Sequence, residues 1–211
     1  MDIVYESFLK TFSRENLEIE NKEISFHDFF GGSSDVLKPL GNSRISVTKL
    51  TDGKTFVSNF KSKGFFIEES TNVGNILGIT SEYKTLKKSV GKITDLFGFK
   101  NRCLANIVEI FSDDKDSEGL GCFTDEFLAR SKNTRKISNI DIDKIFTIAY
   151  EANGNRIVLT ENGSVYIYAH DLDASQYEKI ENVPKNTFYA IPGAKTLNDF
   201  VMMFFADFLA A

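Results

Sequence analysis

Tryptophan is missing from these 211 residues, proline occurs 3 times, and cysteine and histidine twice each. Cys103 and Cys122, with no CxxC pair and no histidine at ligand spacing, exclude a zinc module and read as two reduced thiols, Cys103 buried and Cys122 exposed. A cysteine nucleophile would have only His27 and His170 to serve as imidazole base, and nothing in the spacing brings them together. Long apolar runs are absent too. The longest, Phe200 to Phe205, lies between Asp199 and Asp207 and falls short of the roughly 20 residues a membrane span requires, so no membrane partner is expected. A basic excess is also lacking. The net charge of −5 and pI near 5.2 argue against a nucleic-acid binder working through phosphate contacts, and suit solubility or docking onto a basic protein. Met1 to Glu6 carries acid where a secretory signal would carry Lys or Arg before an apolar stretch, which leads us to expect a cytoplasmic protein.

What is abundant is phenylalanine, 20 residues in a chain that is 42% hydrophobic. Phe fills core volume without needing a hydrogen-bond partner, so this composition speaks of packing rather than chemistry. The clearest structural signal is a pair of Asn-Gly steps, Asn153-Gly154 and Asn162-Gly163, set between β-branched and aromatic runs. Tight hairpin turns need left-handed backbone that Asn and Gly tolerate, so strands are predicted over Ile145 to Tyr150, Arg156 to Thr160 and Ser164 to Tyr168. Val165 and Ile167 alternate with Ser164, Tyr166 and Tyr168, placing one face on a core and the tyrosine hydroxyls of the other near water.

Upstream, Val4 to Phe12 has helical spacing, Leu17 to His27 alternates, and Arg44 to Val57 reads as a hairpin about Asp52-Gly53, with Phe65 to Ile67 as a further strand. A small-residue break between Gly74 and Gly78 suggests a division into residues 1–75, a helix and hairpin extension or subdomain, and 76–211. Ser81 opens a predicted helix whose apolar stripe runs Tyr83, Leu86, Val90, Ile93 and Phe97, with Gly91 or Gly98 able to end it. Its lysines read as a solvated face rather than an RNA surface. Leu104 to Phe111 reads as a buried strand and Thr124 to Leu128 as a short helix; Ile180 to Tyr189 looks irregular. The last helix is the best patterned: Leu197, Phe200, Val201, Phe204, Phe205 and Phe208 form its stripe, and Thr196 with Asp199 resembles a capping box. Met202 and Met203 fall off that stripe. The fold class expected is α+β, an antiparallel-rich mixed sheet with a C-terminal β-meander packed against helices.

The succession Ile148-Ala149, Asn153-Gly154, Gly163-Ser164-Val165-Tyr166, His170-Asp171 and Thr196-Leu197-Asn198-Asp199-Phe200 resembles the SUKH superfamily. That family groups bacterial contact-dependent toxin immunity proteins with a fungal regulator of cell-wall assembly. The resemblance covers the C-terminal part, residues 76–211 at most; residues 1–75 have no counterpart, and Tyr168 stands where the family often has Trp. It implies a protein-binding module without catalytic residues or cofactor, whose partner would be a toxin domain, or an endogenous protein in the regulatory members.

Three chemical readings were weighed beside it. His170, Asp171 and Asp173 contain metal-ligand and acid-base types, but immediate chain neighbours at a strand end more simply cap a turn. A small hydrolase using His170 is the corresponding enzymatic alternative. Asp113, Asp114, Asp116 and Glu118 lack calcium-loop spacing and read as a solvated acidic loop. On the family reading these four carboxylates, with Tyr166 and Tyr168, are the expected partner contacts, because acidic groups steer association with a basic surface.

Overall fold

The computed structural model describes residues 20–30, 35–60, 62–69, 81–101, 103–111, 119–170 and 175–210. Among them, eleven strands form one sheet, every pairing antiparallel. Strands β1 (Glu20–Ser25), β2 (Arg44–Lys49), β3 (Thr55–Ser58), β4 (Gly64–Glu68), β5 (Lys92–Phe97) and β6 (Ile107–Ile110) lie side by side in chain order. After an excursion carrying the two-stranded ribbon β7 (Lys136–Ile137) and β8 (Ile140–Asp141), the sheet resumes with β9 (Ile145–Glu151), β10 (Arg156–Thr160) and β11 (Val165–Tyr168). It ends with β13 (Phe188–Ala190) and, outermost, β12 (Glu178–Lys179). The α+β class and the meander are as the sequence predicts; the sheet is antiparallel rather than mixed.

Period-2 alternation sorts the side chains. Ile45, Val47, Val57, Phe65, Ile67, Ile93, Ile148, Ile157, Leu159, Val165 and Ile167 all point to one large core. Three helices cover that face: α1 (Phe26–Phe30), α2 (Ser81–Val90) and α4 (Leu197–Leu209), through Phe26, Phe30, Tyr83, Leu86 and the predicted α4 stripe. Thr196 caps α4, its hydroxyl accepting from Asp199 N at 3.2 Å while the Asp199 carboxylate accepts from Thr196 N at 3.0 Å. The far end of α4 is capped from the N-terminal half: Asn59 Nδ2 donates to Phe208 O at 2.6 Å, and Lys63 Nζ donates to Asp207 O and lies 3.4 Å from Asp207 Oδ1. Cations at a helix C-terminus meet the negative end of its dipole.

Several expectations need correction. The helix at Ser81 stops at Val90, and Ile93 and Phe97 lie on β5. Gly91 causes the break: at φ +80° its N–H still bonds to Lys87 O, but a side chain there would meet Glu68 O at 2.6 Å. Phe26 and His27 do not extend the alternating strand but form a helical turn, and Phe188–Ala190 is a strand where irregular chain was expected. The division near residue 75 falls outside the described residues, yet the sheet runs across it, β4 pairing with β5, and one core takes side chains from Phe26 to Phe208. The predicted helix over Val4 to Phe12 also lies outside the described residues.

Candidate functional site

The opposite face of the meander is roofed by the excursion between β6 and β9. A 3-10 turn (Gly121–Phe123) leads into α3 (Thr124–Arg130), and Leu120, Phe127, Ile140 and Ile142 join Ile145, Val158, Tyr168 and Phe188 in a second core. The turn is pressed onto Arg156. Gly121 has φ +52°, and a β-carbon there would sit 3.0 Å from Arg156 Nη1, so a side chain would crowd the guanidinium. That guanidinium lies 5.3 Å from the ring centroids of both Phe123 and Tyr150, a cation–π sandwich. Its Nη2 lies 3.9 Å from the sulfur of Cys122, which is exposed, whereas Cys103 is buried.

His170 belongs to the same cluster. Its ring stacks on Phe123 with centroids 4.7 Å apart and planes 21° from parallel. Nε2 lies 2.8 Å from Asn153 O; a carbonyl only accepts, so Nε2 carries the hydrogen. Gly154, at φ +91°, leaves room for the ring, since a β-carbon there would stand 3.1 Å from Nε2. His170 N donates to Asn155 Oδ1 at 3.1 Å, and Asn155 Nδ2 donates to the buried Glu151 carboxylate at 2.8 Å. Tyr177 donates its hydroxyl to the same carboxylate at 2.5 Å. Burial first, then Glu151, pushes the Tyr177 hydroxyl well above the ordinary tyrosine range. The first Asn-Gly turn is thereby locked from both sides.

Tyr168 is not near water as its alternation suggests. It is fully buried beneath α3, donating its hydroxyl to Glu126 Oε1 at 3.1 Å. Arg130 Nη2 lies 3.0 Å from the same oxygen, and Arg130 Nη1 donates to Asn186 O. Burial first and Glu126 second raise the Tyr168 hydroxyl above the usual range. The alternation is real, but the roof over residues 120–145 comes from a segment whose patterning does not announce it. Tyr166 is half-buried, and its hydroxyl accepts from Asn139 Nδ2 at 2.7 Å. Two exposed ion pairs lie in neighbouring elements, Arg135 with Asp143 at 2.6 Å and Lys144 with Glu161 at 3.1 Å. Arg135 holds the Asp143 carboxyl below the usual range. Asp113, Asp114, Asp116 and Glu118, and likewise Asp171 and Asp173, lie outside the described residues.

The structure therefore gathers Cys122, Tyr168 and His170 around Phe123 and Arg156, and leaves Tyr166 on the rim. Sequence reasoning missed Arg156, Phe123, Tyr150 and Glu151, which come from three separate segments. The signal that could have found Arg156 is a cation inside an otherwise apolar strand, Arg156 to Thr160. Among the described residues no hydrogen bond joins His170 to Cys122, and no three His, Cys, Asp or Glu side chains come together as a metal site. No described helix is long and apolar enough to cross a membrane. No family model, curated protein or solved structure matches the chain.

Proposed function

We propose that this chain is a non-catalytic, cytoplasmic protein-binding module of the SUKH type, an immunity protein that neutralises a secreted or contact-delivered bacterial toxin domain by occluding it. One observation carries the reading: the polar residues of the motif region spend their donors inside the fold. His170 Nε2–H is given to the Asn153 carbonyl and the Tyr168 hydroxyl to Glu126, so both act as struts of a rigid platform rather than as groups aimed at a substrate. A platform held this way binds without first paying to order itself. The test is a search of the adjacent coding regions for a secreted protein, whose absence would itself count against the reading, followed by co-expression of that protein with this chain. Cells arrested by that protein should grow when the chain is present, and the two should co-elute on gel filtration; unrelieved arrest with separate elution would remove the reading.

An endogenous regulatory or scaffold role is the second reading, favoured by Met202, which is half-buried on α4 outside its buried stripe, beside Met203, which packs against the edge of the core. Met side chains make adaptable contacts. A Met202→Asp, Met203→Asp variant that keeps both fold and partner would remove the version of this reading that docks through α4. The hydrolase alternative requires turnover that disappears in His170→Ala.

A further inference from the structure

The first half of the sheet has a second face, turned away from α1, α2 and α4, that neither core accounts for. Val47, Val57 and Phe65 point into the large core, so Thr48, Phe56, Ser58 and Phe66, which alternate with them, lie on the opposite side, with Thr48 paired to Phe56 and Phe56 to Phe66. The Phe56 and Phe66 ring centroids stand 5.3 Å apart, and the Phe97 ring lies 6.1 Å from each. Gly64 leaves room for this cluster, since a β-carbon there would meet the Phe56 ring at 2.9 Å. Thr48, Phe56, Ser58 and Phe66 are each 1% exposed. Yet Phe56 and Phe66 belong to neither core, and the roof core takes no described residue before Leu120.

Burial this complete within a single chain means that the cover is another part of the same chain. Its chemistry is constrained as well: the face is made of rings, and the buried hydroxyls of Thr48 and Thr94 beside them find no hydrogen-bond partner among the described residues, which suits a cover of carbon rather than of polar groups. Of the segments outside the described residues, 31–34 and 171–174 are short, 112–118 is strongly acidic, and 70–80 must carry the chain from β4 to α2 on the opposite, core face. Residues 1–19 lead directly into β1, beside β2, and hold Val4, Tyr5, Phe8, Leu9 and Phe12 at helical spacing. Residues 13–19 reach up to about 23 Å when extended, whereas β3 and β4 lie two and three strand spacings from β1, about 10–14 Å. We infer that residues 4–12 form an amphipathic helix whose apolar stripe lies on Phe56, Phe66 and Phe97, so that this half of the sheet, like the other, is covered on both faces. The contact is internal to the chain and independent of the toxin reading.

The test uses the whole chain. Nuclear Overhauser contacts should join the Leu9 methyls to the rings of Phe56 and Phe66 within one molecule, and Thr48→Val should raise the thermal midpoint, because it removes a buried hydroxyl that lacks a partner. A double-mutant cycle is the second arm. Phe8→Ala should lower the urea midpoint, by at most about half as much in a Phe56→Ala background, and by the full amount in a Phe188→Ala background on the roofed side; Phe56→Leu takes the place of Phe56→Ala if the latter does not fold. Contacts to these rings from residues 70–80 instead of Leu9, contacts arising between differently labelled copies, or equal shifts in all three backgrounds overturns the proposal. A lowered midpoint in Thr48→Val overturns it too, since a polar group would then lie over that hydroxyl.

Discussion

Lys63 has 2% of its surface exposed, yet its ammonium is answered by the Asp207 carbonyl and carboxylate at the end of α4. Removing one partner of a buried polar pair leaves the other to bear its desolvation, about 1–3 kcal/mol. Lys63→Met, which keeps the apolar stem, should lower unfolding free energy by that amount in urea titration; a change within error would show the contact to be incidental. Tyr168 and Tyr177 give a pH dependence of definite sign. Both hydroxyls are raised above the ordinary value of 10.0 by burial and a carboxylate, so both states hold the proton below that pH and stability is intact. Above it the unfolded chain ionises first and stability falls as pH rises. The denaturant midpoint should therefore hold up to about the tyrosine reference of 10 and fall as pH rises beyond it, less steeply in Tyr168→Phe; equal slopes in the two proteins would contradict the assignment. None of these pairings was legible beforehand, because Lys63 and Asp207 stand 144 residues apart and Tyr168 and Glu126 stand 42 apart. Position in sequence says which residue types alternate, and nothing about which distant segment will cover them.

Helix α4 joins the two halves of the protein, and its contributions separate into cap and stripe. Thr196→Ala removes the hydroxyl that accepts from Asp199 N and should cost about 1 kcal/mol. Phe205→Ala should cost about 3–5 kcal/mol, because the buried ring packs against Phe26, Phe30, Phe65 and Phe204 and its removal leaves a cavity. Thermal unfolding of the two variants should keep that order; a larger loss for Thr196→Ala would refute it. Elements with a local signature were readable: the Asn-Gly hairpins, the capping box, and the Asp52-Gly53 turn between β2 and β3. Between the two glycines able to end α2 the structure selects Gly91, which lies against the backbone of β4; Ile93 and Phe97 continue a spacing of three and four by coincidence. The short strands β12 and β13 carry too few residues to display a period.

For the molecule as a whole, the sheet continues across the suggested boundary near residue 75. The β4–β5 pairing, and the grip of Asn59 and Lys63 on α4, make the N-terminal hairpin part of the structure that holds the C-terminal helix. A chain lacking residues 1–69 should lose near-ultraviolet circular dichroism and bind a hydrophobic dye, and the intact chain should unfold in one transition seen alike by fluorescence and circular dichroism. A truncated protein with native-like dispersion in its spectra would show that the remainder folds alone. The meander was thus legible in the sequence, while its roof and the contacts of Arg156 with Phe123 and Tyr150 were not, since each is assembled from segments that only tertiary folding brings together. Nine of the eleven strands stand in the sheet in their order of synthesis, and α4 follows them all. A ribosome would therefore release the whole sheet, with α1 and α2 already on its core face, before the Phe-rich stripe of α4 is free to complete the cover.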